Sequence, residues 1–169
     1  MLNIFMNFKL LLFYFLVVNT NNIDYQPFFK EFGDDISKMI RPPKEYLEYS
    51  NIDFYYSQLI KIKVDNKYNI SSIKVSDGSS EWFKEDIEML VKKGRVNFDK
   101  FNRLAKKNKI KNCELILPVE IVSDNYPKIN CKLYIPNQNF YMFDNKNLAG
   151  TIIFGNRITI SYSYAGIKK

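Results

Sequence analysis

The stretch that decides the fold is Leu59-Ile60-Lys61-Ile62-Lys63-Val64-Asp65, then Asn66-Lys67-Tyr68-Asn69, then Ile70-Ser71-Ser72-Ile73-Lys74-Val75. Ile60, Ile62 and Val64 alternate with Lys61, Lys63 and Asp65, the two-residue period of a strand with one face in a core. Asn66 to Asn69 are turn formers, because Asn and Asp side chains bond their own backbone. Ile73 and Val75 then alternate with Ser72 and Lys74. The reading is an antiparallel hairpin, with its first strand over 58–65.

Downstream, Ser76-Asp77-Gly78-Ser79-Ser80 forms a loop whose serines can cap a helix N-terminus. Residues 81–92 place Phe83, Ile87, Leu90 and Val91 on one side, and Gly94 ends that helix. A second helix over 97–108 turns Phe98, Phe101, Leu104 and Ala105 inward and carries Lys106 and Lys107 in its last turn, where cations suit the dipole. Cys113, Leu115, Leu117, Val119 and Ile121 then alternate along a strand, 113–122. Glu114 and Glu120 lie on its other face and are expected to meet solvent. A turn at 123–127 leads to a return strand with Ile129, Cys131, Leu133 and Ile135. The tail reads as a hairpin of Thr151–Phe154 and Arg157–Tyr164 around Gly155-Asn156.

Upstream, Phe28, Phe29, Phe32, Ile36, Met39 and Ile40 recur at helical steps. Gly33 weakens that helix and Pro42-Pro43 stops it. Residues 44–56 read as a connector or short second helix. Residues 1–22 carry Lys9, an apolar run from Leu10 to Val18 and a polar end, the pattern of a signal peptide. The run falls short of the roughly 20 residues that span a bilayer. The cleavage site around Val18 and Thr20 is poor, so an uncleaved anchor is the rival reading. The expected organisation is a leader over 1–22, an N-terminal helix and connector over 23–56, and an α+β domain over 57–168. In that domain an antiparallel sheet of about four to six strands is packed by two central helices, with the additional N-terminal helix.

Composition narrows the chemistry. The 169 residues carry a formal net charge of +7 and no histidine. Histidine is the commonest general base and metal ligand, so its absence speaks against hydrolytic and zinc chemistry. The basic residues are scattered apart from Lys106, Lys107, Lys109 and Lys111, which does not suit a nucleic-acid binder. Glu114 and Glu120, six residues apart on a strand, stand roughly 20 Å apart, too far for a glycosidase pair. Cys113 and Cys131 are either two buried thiols or, in another strand arrangement, one bridge. No catalytic, cofactor or metal residue is assigned.

The order hairpin, helix, strand within 58–122 resembles the TonB C-terminal domain family. The similar pieces are Leu59 to Asp65, the turn Asn66 to Asn69, Ile70 to Val75, the serine step Ser76 to Ser80, and the closing Pro118-Val119-Glu120-Ile121. Pro43 with Tyr46 is similar to the family's proline-tyrosine lead-in. The likeness covers roughly half of the chain. Two departures stand out: the added helix 97–108, and the lack of a long proline-rich spacer after the membrane segment. The resemblance implies a periplasmic place, contact with another envelope protein and no catalysis. The missing spacer implies that the chain is not an energy transducer. Membrane contact is expected only through the leader, if it is uncleaved.

Ile158, Ile160, Tyr162 and Tyr164 share one face of the last strand. They either cover the core or present a face or sheet edge to a partner strand. The alternative function is a secreted small-ligand binder, with a cleft lined by Tyr141, Phe143, Tyr162 and Tyr164.

Overall fold

A computed structural model of the chain describes residues 23–43, 54–123, 132–133 and 139–162. The leader, residues 44–53 of the expected 44–56 connector, Cys131 and Tyr164 lie outside the described residues. Among them are three helices, α1 (Gln26–Met39), α2 (Glu81–Lys92) and α3 (Phe98–Lys107). The strands are β1 (Phe54–Val64), β2 (Ile70–Val75), β3 (Cys113–Ser123), β4 (Lys132–Leu133), β5 (Met142–Phe143), β6 (Lys146–Asn147), β7 (Ile152–Phe154) and β8 (Ile158–Tyr162). The fold is α+β, as the periodicities predict.

The hairpin forms where its alternation places it. Ile62 sits opposite Ile73 and Ile60 opposite Val75, with an irregularity at Lys63/Val64. The Asp65 carboxylate accepts the main-chain N–H groups of Lys67 and Asn69, at 2.7 and 2.8 Å. Those bonds close the turn and hold the carboxyl below its usual range, the Asn69 main-chain bond contributing most. β1 is longer than expected and begins at Phe54. It pairs antiparallel with β3 from Tyr55↔Val122 to Val64↔Cys113, which makes it the centre of the sheet.

The helices pack on one face. Cys113, Leu115, Leu117, Val119 and Ile121 of β3 meet Ile60, Ile62 and Val64 of β1 beneath Phe83, Ile87 and Leu90 of α2 and Phe101 and Ala105 of α3. α1 belongs to the same core: the Phe28 and Phe32 rings lie 5.8 and 4.9 Å from Phe101. Lys100 of α3 binds both Glu31 and Asp35 of α1, at 2.9 and 2.8 Å. α2 ends as Gly94 suggests. Gly94 takes a positive φ, its N–H meets the Val91 carbonyl, and Arg95 N–H reaches the Leu90 carbonyl.

The sheet is mixed, a correction to the antiparallel expectation. Its six strands run β2-β1-β3-β7, with β8 also on β3 and β4 on β1. β7 and β8 both run parallel to β3, and β4 runs parallel to β1. The expected return of β4 on β3 does not occur in the described residues, because β1 and the β7–β8 pair already hold both sides of β3.

The expected tail hairpin around Gly155-Asn156 does not form either. β7 and β8 follow each other along the same side of β3, separated by a bulge. From Ile116 to Val119 β3 advances three residues; the partners Phe154 to Ile158 advance four. The cause sits in β3. Glu114 N–H donates to Thr151 O and Ile116 O accepts from Gly155 N–H, so even-numbered residues of β3 face β7. Two residues on, that direction belongs to Pro118, which has no N–H to offer. The ladder breaks there, and the extra residue is accommodated.

The break is also where α1 lands. A Cβ on Gly155 would lie 2.3 Å from the Phe29 ring, and one on Gly33 would lie 2.1 Å from Ile158 Cδ1. Gly33 is thus a close-approach position rather than a weak point of the helix, and Gly155 is one rather than a hairpin turn. Replacing Gly155 with Ala drives a methyl into a fully packed ring and is expected to cost about 1–3 kcal/mol. Denaturant midpoints of the wild type and Gly155→Ala check it; an unchanged midpoint would mean that the Phe29 contact is absent.

Candidate functional site

The residues singled out from sequence divide between the two faces of the sheet. Ile158, Ile160 and Tyr162 turn toward the helices: Ile160 is buried, and Ile158 and Tyr162 pack against the same core. Tyr162 reaches past α1, and its hydroxyl donates to the Ile40 carbonyl at 2.8 Å. Burial raises its pKa, because the ring is fixed in a poorly hydrated position, and outweighs the lowering effect of the Arg41 guanidinium. This face therefore covers the core.

Phe143 lies on the opposite face. It is buried with Leu59, Ile116 and Phe140 in a second, smaller cluster that Leu148 and Ile152 border. Tyr141 stands beside it with 58% of its surface exposed. Tyr162 and Phe143 thus have the sheet between them and do not line a shared cleft.

The second face is built by a hairpin that the sequence reading missed. β5 and β6 pair around Asp144-Asn145, both with positive φ. Two such residues between paired strands are the signature of a tight hairpin turn, and the Asp-Asn pair was the available signal. Asp77, in the β2–α2 loop, fastens the turn. Its carboxylate accepts the N–H groups of Asp144 and Asn145 at 3.1 and 2.8 Å. Its own N–H donates to the Met142 carbonyl. Lys74 pairs with Asp144 and holds that carboxyl below its usual range.

The strand carboxylates are not solvent-facing, a second correction. Glu120 is only 8% exposed and accepts from Arg157 at 2.8 Å. Glu114 is half-buried beside Lys61 at 3.6 Å. The bulge puts Arg157 within reach of Glu120, and burial of the acid requires a cation there.

Two openings flank the break. A cleft of about 910 Å³ runs between α1, α3 and the bulge. Its floor is Phe29, Gly33, Leu104 and Ile158; Asp34 and Glu31 face it together with Lys107 and Arg157. A smaller one of about 520 Å³ lies at the start of β3, with Cys113, Asp65, Asn112 and Gly150 among its walls. Cys113 is a free, buried thiol, and burial pushes its pKa up to about 11. A thiol held protonated is a poor nucleophile and metal ligand. No group of three His, Cys, Asp or Glu side chains among the described residues could hold a metal ion.

The expected serine cap of α2 takes another form. The Ser80 hydroxyl makes no capping bond, whereas its N–H donates to Oε1 of the fully buried Gln58 at 3.0 Å. The Ser76 and Ser79 hydroxyls bond each other at 2.8 Å. Gln58 thus ties the helix start to β1, a role its polar position within an apolar alternation did not reveal.

The remaining feature is the outer side of β7–β8. β3 occupies their inner side, and among the described residues no strand pairs with their outer side. Thr159 and Ser161 are exposed there, and Phe154 is 55% exposed. From Ile152 to Tyr162 the sequence has one charge, Arg157, and no proline. The opposite edge, β2, differs: it carries Lys74 with its carboxylate partner. No helix among the described residues is long and apolar enough to cross a membrane.

Compared with protein-family models, curated proteins and solved structures, the chain matches none.

The state of Cys113 has a direct test. In a Cys131→Ser variant, Cys113 should label with a thiol reagent at neutral pH at least about 100-fold more slowly than in denaturant, because fewer than about one in a thousand such thiols are ionised. Equal rates with and without denaturant would show that the thiol is neither buried nor shifted.

Proposed function

We propose that this chain is an exported, non-enzymatic protein-contact module with a TonB C-terminal-like fold, that it is not itself an energy transducer, and that it meets its partner along the β7–β8 edge. The observation that carries this reading is the β7–β8 edge, open among the described residues and nearly uncharged. Soluble proteins blunt exposed edges with lysine, proline or short strands, because unpaired N–H and C=O groups template pairing with another chain. β2 follows that rule with Lys74; β7 and β8 are short, but β8 has neither charge nor proline along it. An edge left this way suits strand addition, in which main-chain bonds supply affinity and alternate side chains supply specificity.

The chemistry of the side chains speaks against catalysis. The chain has no histidine, and burial keeps Cys113 protonated. Glu120, Glu114 and Asp144 each face a cation. The order hairpin, helix, strand from β1 to β3 supports the likeness to the TonB C-terminal domain, from which the added α3 departs, and the leader pattern of residues 1–22 supports export.

A second reading has its own observation. The 910 Å³ cleft between α1 and α3 falls within the size range of small-ligand sites and has an apolar floor with charges of both signs at its rim. It would make the protein an exported ligand binder, at a place other than a Tyr141–Tyr162 cleft.

Capture experiments separate the two. The immobilised full chain is expected to retain an envelope protein that Thr159→Lys/Ser161→Lys releases, while Asp34→Lys/Lys107→Glu in the cleft leaves retention unchanged. Retention indifferent to the edge variant, or turnover of a small substrate by the purified chain, would contradict the contact reading.

A further inference from the structure

We infer that the partner of the β8 edge is a second copy of this chain, paired antiparallel about a two-fold axis at Ile160. The inference rests on the edge reading above and specifies its occupant.

β8 continues the parallel pairing of β7, with Glu120 opposite Thr159 and Val122 opposite Ser161. In a parallel pair a residue of one strand bonds the neighbours of its partner. The bonds Glu114 N–H to Thr151 O and Gly155 N–H to Ile116 O follow that rule in β7. Applied to β8, Ile158, Ile160 and Tyr162 turn their main-chain groups toward β3. Thr159 and Ser161 turn theirs to the open side.

An antiparallel strand bonds in pairs of residues that exchange both N–H and C=O groups. With a two-fold axis at Ile160, Thr159 of one copy stands opposite Ser161 of the other. Among the described residues nothing pairs with the main-chain groups of either on that side, so each such pair is complete. The axis residue, Ile160, falls in the non-bonded position that its inward main chain requires. A shift by one residue would set outward groups against inward ones and lose the bonds. Shifts by two residues keep outward groups opposed but complete one bonded pair within Ile158–Tyr162 instead of two, so the Ile160 axis is the strand's best self-complementary register, the property an isologous interface needs.

The side chains agree with that register. Thr159 and Ser161 are both exposed and meet as a Thr–Ser pair, a favourable cross-strand combination. Ile158 meets Tyr162 on the helix side. No charged residue lies within Ile158–Tyr162, so a chain of net charge +7 can place two copies of this strand together without opposed cations. β2 would bring Lys74 to its own contact. Arg157 is drawn back onto Glu120. A five-residue ladder is a small interface, below the area of permanent dimers, so the association is weak and depends on concentration.

The test is the mass of the full chain by sedimentation from about 10 µM to about 1 mM, the range of a weak interface. The wild type should rise from 20.1 kDa toward twice that mass. Thr159→Lys/Ser161→Lys sets lysines opposite each other and should remain monomeric throughout. Thr159→Lys/Ser161→Glu sets Lys opposite Glu of the other copy and should recover the dimer. Ser72→Lys on the β2 edge should not alter it. All these positions lie at the surface or sheet edge, and circular dichroism of each variant shows whether the fold survives. A wild type that stays monomeric to about 1 mM, or a double-lysine variant that still dimerises, overturns self-pairing. A monomeric wild type that nevertheless captures an envelope protein through Thr159 and Ser161 overturns only the choice of a second copy. A monomer with no edge-dependent capture overturns the contact reading as well.

Discussion

The structure depends on a missing hydrogen atom. Pro118 sits inside β3, the strand that joins the hairpin to the tail, and its nitrogen faces the tail side where the ladder needs a donor. A proline there is tolerated only at a bulge or an edge. The chain supplies the bulge: Gly155, Asn156 and Arg157 pass Leu117 and Pro118 with one residue to spare. Toward β1 the same proline costs nothing, because Pro118 lies opposite Leu59 with its nitrogen turned away.

Three other features assemble around that break. Gly155 lets the chain slip beneath the Phe29 ring, and Gly33 lets α1 settle onto Ile158. α1 is thereby fixed to the sheet at the bulge and, through Lys100, to α3. Arg157 projects from the bulge to neutralise the buried Glu120. The break also divides the tail into two short strands. The second, β8, is an edge among the described residues, without lysine or proline, next to a cleft walled by α1. The bulge itself gives some protection against indiscriminate pairing, since it bends the edge and carries the single charge.

Much of this was legible in the sequence where one physical rule acted alone. The alternation of Ile60, Ile62 and Val64, the amphipathic pattern of Phe83 to Leu90, the stop at Gly94 and the α1 pattern of Phe28 to Ile40 each reported a local preference that packing did not override. The tail was read wrongly because Gly155-Asn156 satisfies two rules. It is a good hairpin turn, and it is a place where a ring can approach the backbone. Only the position of Phe29 across the core decides between them. Glu114 and Glu120 alternate as solvent-facing charges do, yet the β5–β6 hairpin and Arg157 cover that side, and nothing local foretells it. The candidate site was half legible. Ile158, Ile160 and Tyr162 do share a face, but it is the core face. The open side belongs to Thr159 and Ser161, whose importance lies in main-chain direction, which side-chain chemistry does not display.

β8 lies parallel to β3 with every second main-chain group turned outward. Amide hydrogen exchange of the dilute protein tests it most directly. Slow exchange at Ile160 and Tyr162, with exchange at Thr159 and Ser161 near that of an open chain, is the predicted pattern. Four amides exchanging alike, all protected or all open, would contradict it, since the strand would then be covered on both sides or not docked at all.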